Sequence, residues 1–282
     1  MDTVFERLTQ FLNEDELRHI TPLKLLGLYR ERVRVVLVSA GVEQAFLLLL
    51  PRAASQYDTA RYPSASLVVF PALSASPSAA MIAACVRAII DSAGAETFVV
   101  KSCELPLLAA LRTTLPALNY RRALLTFTHD RKDSAGSAES VLKSSVRITT
   151  HIPPAALSLL AAHDVYSASE LDTMFADGSA RCLLRFDGDG DGDGDEADRH
   201  PVAILLSFPN TPTLHEIGSL YVAPLARRAG HASVLVRAAL ADIAQRGLAA
   251  RYVVDATNAP SIELAKRCGL REVMRLEHWL SA

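Results

Sequence analysis

The chain has 282 residues, half of them hydrophobic and 6% aromatic, with a formal net charge of −2. That length makes one large domain or two medium ones with ample apolar content for packed cores, and the near-neutral charge supplies no basic field for nucleic acid. No apolar run approaches the roughly 20 residues of a membrane span, and the start, MDTVFERLTQFL with Asp2 and Glu6, does not read as a signal or transit peptide.

Residues 1–30 read as helices. Val4, Leu8, Phe11 and Leu12 share a face, and Asn13 stands where a second helix would be capped. Strand-like runs follow at Val33–Ser39, Gln44–Leu50 and Ser66–Phe70, with Ala40-Gly41 marking a tight connection. Ser78–Ser92 has helical spacing, with Met81, Cys85 and Ile89 on one face and Gly94 as the stop. Glu96–Lys101 reads as a strand, Leu105–Thr114 as a helix and Tyr120–Thr128 as a strand. The polar, small-residue run after His129 reads as a linker, which gives an expected division into domains at 1–130 and 145–282 joined by 131–144.

The second half restarts with a strand at Val146–Ile152, a helix opened by Pro153-Pro154, another at Ser167–Phe175, and a strand at Ala180–Phe186. The run DGDGDGDGD from Asp187 meets part of a calcium-loop pattern at Asp187, Asp189, Asp191 and Gly192. Its twelfth position is Asp198, where glutamate is preferred, and no amphipathic helix precedes it. An acidic hairpin loop is expected there, and no metal. Strands are expected at Pro201–Phe208, Leu214–Val222, Arg251–Asp255 and Glu272–Trp279, with a helix at Ser261–Arg267. The alternation predicts an α/β chain with a mixed sheet and helices on both faces. The four cysteines, Cys85, Cys103, Cys182 and Cys268, are far apart with no C-x-x-C, as expected of reduced, buried thiols in a cytoplasmic protein.

The chemistry concentrates in His215–Ser233, HEIGSLYVAPLARRAGHAS. Pro224 ends the strand, because proline cannot donate to a ladder. Gly230 then opens a helix on which Val236, Leu240 and Ile243 recur. Such a turn aims free backbone N–H groups at one point, at the positive end of the helix dipole, which suits a phosphate. Gly230 and Ala232 let a ligand approach the main chain, and Arg227 and Arg228 add forked donors. There is no lysine-serine pair and only one glycine, so this is neither a P-loop nor a dinucleotide fingerprint.

The form V-x-P-x-x-R-x-x-G-x-A, from Val222 to Ala232, resembles motif A of the GNAT superfamily of N-acetyltransferases. Asn258-Ala259-Pro260-Ser261-Ile262-Glu263-Leu264, followed by Cys268-Gly269-Leu270, resembles its motif B, in the right order and spacing. The Gly-His-Ala turn is most similar to the FR47-like branch, which includes glycine N-acyltransferases. The resemblance covers about the last half of the chain and implies a GNAT fold there. It also implies an acetyl-CoA or other acyl-CoA co-substrate and an amine acceptor. By that resemblance Leu220, Tyr221 and Val222 lie along the thioester and pantetheine arm, with the Val222 N–H as oxyanion donor. The amides of Arg228, Ala229, Gly230, His231, Ala232 and Ser233 hold the pyrophosphate, and Asn258 with Ser261 lies by the pantetheine or ribose.

Glu216 is the candidate base. Period-two alternation puts Glu216, Gly218, Leu220 and Val222 on one face and His215 on the other. The same eight positions separate the catalytic glutamate from the motif proline in glycine N-acyltransferases. A tyrosine that many acetyltransferases use as acid is replaced here by Ala265. That leaves open a non-catalytic acyl-CoA-binding or sensing protein. Transfer to protein or polyamine amines is a further alternative. The order of elements in residues 1–130 matches that of the second half, but Ala72–Pro77 carries neither arginine nor glycine. The first half is therefore either a degenerate copy of the same fold or an unrelated α/β domain.

Overall fold

The computed structural model of the chain describes residues 3–129, 146–163, 168–186 and 200–282. The acidic run at 187–198 and the expected linker at 131–144 lie outside them. Two compact units are present, Met1–Leu124 with Met274–Ala282, and Leu125–Val273. The division differs from the expected 1–130 and 145–282: the C-terminal strand goes largely to the first unit, and the end of Tyr120–Thr128 to the second. Strand partners far apart in sequence are not encoded in local pattern, which is why the exchange was invisible there.

The first unit contains helices α1 (Thr3–Glu14) and α2 (Ile20–Tyr29), then strands β1 (Arg34–Ala40) and β2 (Glu43–Pro51). After a short α3 (Gln56–Arg61) come β3 (Leu67–Ala72), α4 (Ala79–Ala93), β4 (Phe98–Ser102) and α5 (Leu105–Thr114). It also holds the start of β5 (Asn119–Thr128) and most of β11 (Arg271–Leu280). Its strands run in the order β1-β2-β3-β4-β11-β5. The β1-β2-β3 pairs are antiparallel and β3-β4 is parallel across α4. The apolar run of β2 is buried on both faces. Leu47 and Leu49 meet the α4 and α5 side, while Phe46, Leu48 and Leu50 meet the α1 and α2 side. Full burial of each such leucine contributes about 1.5–3 kcal/mol, which holds this strand between the two helical layers. Asn13 lies inside α1 and caps nothing, because α1 runs on to Glu14.

The second unit contains β6 (Val146–Thr149), a 3₁₀ turn (Pro154–Ala156), α6 (Leu157–His163), α7 (Ala168–Phe175), β7 (Arg181–Phe186) and β8 (Pro201–Thr211). These are followed by β9 (Leu214–Val222), a 3₁₀ turn (Pro224–Ala226), α8 (His231–Gln245), β10 (Ala249–Asp255) and α9 (Ala259–Arg267). The strand order is β5-β10-β9-β8-β7-β6, with β9 and β10 parallel across α8. One face carries α8 and α9 over Leu183, Leu205, Ile217 and Tyr252. The other carries α6 and α7 over Cys182, Ile204, Leu206 and Phe208. Setting aside the short α3 and the leading β6, the two halves of the sequence share the series helix, helix, three strands, helix, strand, helix, strand, closing on β5 and on β11, with a parallel pair astride the first long helix after the third strand.

Two polar side chains are packed away from the site. In the first unit the Lys101 ammonium is ion-paired with Asp58, the side chains being 6% and 3% exposed, beneath the rings of Tyr57, Tyr62 and Phe70. In the second, His215 is buried, its ring meeting Arg246 Nη2 at 2.8 Å and Ser207 Oγ at 3.5 Å. Burial first, then the Arg246 charge, brings the His215 pKa down to about 4.

Lys101→Met leaves the Asp58 carboxylate buried without its counter-ion. It is expected to cost about 3–5 kcal/mol in urea unfolding, and Asp58→Leu added to it should recover most of that loss. His215 is neutral in the folded protein and accepts a proton near 6.5 when unfolded, so its contribution is present above pH 6.5 and fades as pH falls towards 4. His215→Gln should flatten the wild-type fall in unfolding free energy across that window, and an unchanged slope would refute the assignment.

Candidate functional site

Strands β9 and β10 run together for four rungs, from Leu214/Ala249 to Ile217/Tyr252, and then part. From Gly218 onward β9 keeps only β8 as its ladder partner, so a gap opens on its other edge. A bulge begins at the same place. Leu206 faces Gly218 and Ile204 faces Tyr221, so Ser219 and Leu220 together oppose Leu205, with Ser219 at φ +48°. A β-bulge bends its strand and increases the local twist, which steers β9 away from β10.

The bulge corrects the expected facing. Glu216, Gly218 and Tyr221 share a face with Phe208, Leu206 and Ile204. Leu220 and Val222 instead pack on the opposite face, against the core under α8. Strict alternation fails because two residues are spent on one rung. His215 stays opposite Glu216, as expected, since the bulge lies beyond both.

Val222 gains its orientation from the ladder. The Ala223 N–H donates to Val202 C=O at 2.8 Å, so 223/202 is a hydrogen-bonded pair. In the next pair, Val222/Ala203, the main-chain groups of Val222 therefore turn away from β8, to the side that β10 has vacated. Its carbonyl accepts from Arg227 Nε at 3.1 Å, and its N–H points into the same gap. Arg227 is thereby folded back over the strand end, its guanidinium 5.9 Å from the Tyr221 ring.

The turn beyond Pro224 places Arg228 at φ +66° and Gly230 at φ +84°. Two left-handed residues flank Ala229 just ahead of the positive end of α8, where the first main-chain N–H groups of a helix have no partner within the helix. Gly230 supplies the left-handed angle. The position where its Cβ would stand has nothing within 4 Å, which leaves the main chain open to a ligand. His231, the first residue of α8, is buried, whereas Arg227 to Gly230 are exposed.

Glu216 sits one rung before the end of the β9–β10 ladder, opposite Arg251. Its Oε2 accepts from Arg251 Nη1 at 2.7 Å and from Asn210 Nδ2 at 2.6 Å, and its side chain is 13% exposed. The carboxylate is thus ion-paired as well as adjacent to the gap. Asn258 caps α9, its Oδ1 accepting the Ser261 N–H at 3.2 Å, so these two site candidates are brought together by the cap itself. Ala265 is fully buried on α9. Tyr252 is buried in the same core, and desolvation raises its pKa, so its hydroxyl stays protonated. Burial likewise pushes the thiols of Cys85 to about 11 and of Cys103 and Cys182 to about 12, and raises Cys268, leaving none of them as a ready nucleophile.

Sequence reasoning missed Arg251, Asn210 and Arg185. Arg185, on β7, donates through Nε to His231 Nδ1 at 3.4 Å, and its Nη1 is buried without a partner among the described residues. Nothing in the local pattern of RCLLRF marks it, because only the sheet brings β7 to the start of α8. Among the described residues no cluster of three or more metal-ligating side chains is present, and no helix is long and apolar enough to cross a membrane.

Residues 160–270 match the model of the acetyltransferase (GNAT) family. No curated protein matches the sequence significantly. Among solved structures, a GNAT-family acetyltransferase from Colwellia psychrerythraea is similar, with TM-score 0.58, 11% identity, and 97% of each chain covered. A GNAT protein from Kribbella flavida has TM-score 0.56 and 13% identity, covering 94% of this chain and 95% of its own. A tandem GNAT protein from the clavulanic acid biosynthesis pathway has TM-score 0.53 and 13% identity, covering 92% and 87%. At such identities the likeness is one of fold. The segment that matches the acetyltransferase (GNAT) family, 160–270, contains both the parted strands and the left-handed turn before α8.

Proposed function

We propose that the protein is an acyl-CoA-dependent N-acyltransferase that passes an acetyl or other acyl group directly to the amine of a small molecule or amino acid. The observation that carries this is the gap between β9 and β10, with the Val222 N–H turned into it and the phosphate-type turn immediately beyond. The pyrophosphate of coenzyme A rests on the amides from Arg228 to Ser233, with the charges of Arg227 and Arg228 beside it. The thioester arm runs along Leu220, Tyr221 and Val222, on the edge that β10 leaves. The Val222 N–H stabilises the oxyanion as the amine attacks. Asn258 and Ser261 lie by the pantetheine or ribose. Direct attack is favoured over an acyl-cysteine because burial keeps the thiols protonated. Glycine N-acyltransferase-like chemistry is the finer reading, resting on the spacing of Glu216 from Pro224, and a cytoplasmic location goes with the four separate, unpaired cysteines.

Glu216 takes the proton of the amine. Its face carries Gly218, where no side chain blocks an approaching acceptor, and Arg251 with Asn210 fixes its direction. Ala265 offers no acid, so the leaving thiolate takes its proton from water or from Tyr221, on the Glu216 face. A second reading is a protein that binds acyl-CoA without turning it over. The ion pair of Glu216 with Arg251 favours it, since that carboxylate then has a structural use, and Ala265 favours it too.

Thiol release from acetyl-CoA and benzoyl-CoA, assayed against amino acids, polyamines and peptides, separates the readings. Release that requires an amine is expected. Stabilisation by coenzyme A with no acceptor-dependent release would select the binding protein. Glu216→Gln keeps the shape of the side chain and is expected to leave coenzyme A affinity unchanged while lowering kcat about 10²–10⁴-fold. A loss below about tenfold would remove Glu216 from the reaction.

A further inference from the structure

The two units present corresponding helix starts with opposite built-in charge. In the first, α4 follows β3 and leads to the parallel strand β4. In the second, α8 follows β9 and leads to the parallel strand β10. In each the paired strands part early, after Val69/Val100 in the first unit and after Ile217/Tyr252 in the second.

The first unit answers its own helix start. Ser78 caps α4 and accepts the Met81 N–H at 3.1 Å. The Glu43 carboxylate, from the start of β2, accepts both the Ser78 N–H at 3.2 Å and the Ser78 hydroxyl at 2.8 Å. An anion therefore already stands at the positive end of this helix. The segment before α4 is tied down as well, with His19 Nε2 meeting Leu73 C=O at 3.1 Å and Arg18 reaching Ser74 C=O at 3.5 Å.

The second unit does the reverse. Gly230 caps α8 and brings no side chain. The charge built in behind α8 is a cation. Arg185 stands on the same rung as Ala203 and Val222, on the face that α8 covers, and it touches His231 through Nε. Its Nη1 is buried with no partner among the described residues. A guanidinium at the positive end of a helix is repelled by it, and a buried donor without an acceptor is unfavourable as well. Both faults are removed by one thing, an anion seated on the turn within reach of Arg185.

We propose that the chain carries one phosphate position, on the turn before α8, in which Arg185 is a ligand of the coenzyme A pyrophosphate, and that Glu43 occupies the corresponding position of the first unit as an internal stand-in. The identity of the nucleotide rests on the acyl-CoA reading above. The anion position itself does not.

The test uses the full chain and calorimetric titration with coenzyme A, dephospho-coenzyme A, pantetheine and inorganic pyrophosphate. The wild type should bind one coenzyme A per chain. Arg185→Gln should weaken coenzyme A and dephospho-coenzyme A alike, on the order of tenfold to hundredfold for a charge-assisted hydrogen bond, and leave pantetheine unchanged. Arg185→Lys should recover part of the loss. Two coenzyme A molecules per chain, unchanged affinity in Arg185→Gln, or an equal loss for pantetheine would each overturn the proposal. If the wild type binds pyrophosphate and not coenzyme A, and Arg185→Gln abolishes that binding, the anion position stands and the acyl-CoA reading falls. If neither ligand binds, both fall. Glu43→Gln should lower the melting temperature, with sulfate restoring it more than it raises that of the wild type. A loss that sulfate does not touch would remove Glu43 from the stand-in role.

Discussion

The second unit is organised around an interrupted ladder. A parallel pair that ran its full length would satisfy every main-chain group between β9 and β10 and leave nothing for a ligand to bind. Pairing stops after Ile217/Tyr252, where the Ser219-Leu220 bulge takes two residues for one rung of β8. The bulge bends β9, Pro224 ends it, and the left-handed residues Arg228 and Gly230 swing the chain into α8. Holding non-glycine residues such as Ser219 and Arg228 at positive φ costs of order 1 kcal/mol or more each. The cores on both faces of β7 to β10 supply the excess stability that lets this strain persist.

The first unit shows what the same plan does when the gap is closed from within. Its β3 and β4 also part early, but the polar groups around the parting are bonded to one another. Arg18 pairs with Glu104, His19 takes Leu73, and Glu43 takes the start of α4. The interior of this unit is likewise self-sufficient, its buried lysine matched by Asp58. The two units therefore differ in where their polar demand is met, and much less in the order of their elements.

Glu216 shows how a site residue can serve structure and chemistry together. The sheet places it on the last rung but one before the gap, where Arg251 is its direct neighbour across the parallel pair. Arg251 is 6% exposed, so each of the two charges needs the other. A carboxylate held in this way has a fixed direction, and orientation is a large part of what a catalytic group contributes. The same pair would persist in a protein that only binds its ligand.

What the sequence determined by itself was local. The run of β9 from Leu214 to Val222, the stop at Pro224 and the helix after Gly230 follow from proline and glycine chemistry and from apolar spacing within a few residues. The motif spacing from Val222 to Ala232 and from Asn258 to Leu264 carried the resemblance to the family that residues 160–270 match. Tertiary structure decided the rest. The bulge moved Leu220 and Val222 off the Glu216 face, and no residue pattern in IGSLYV announces it. Arg251, Asn210 and Arg185 reach the site from other strands, and most of β11 completes the first unit instead of the second. These features depend on which strands lie side by side. That choice is made by burial summed over distant parts of the chain, so a local reading of residue types does not contain it.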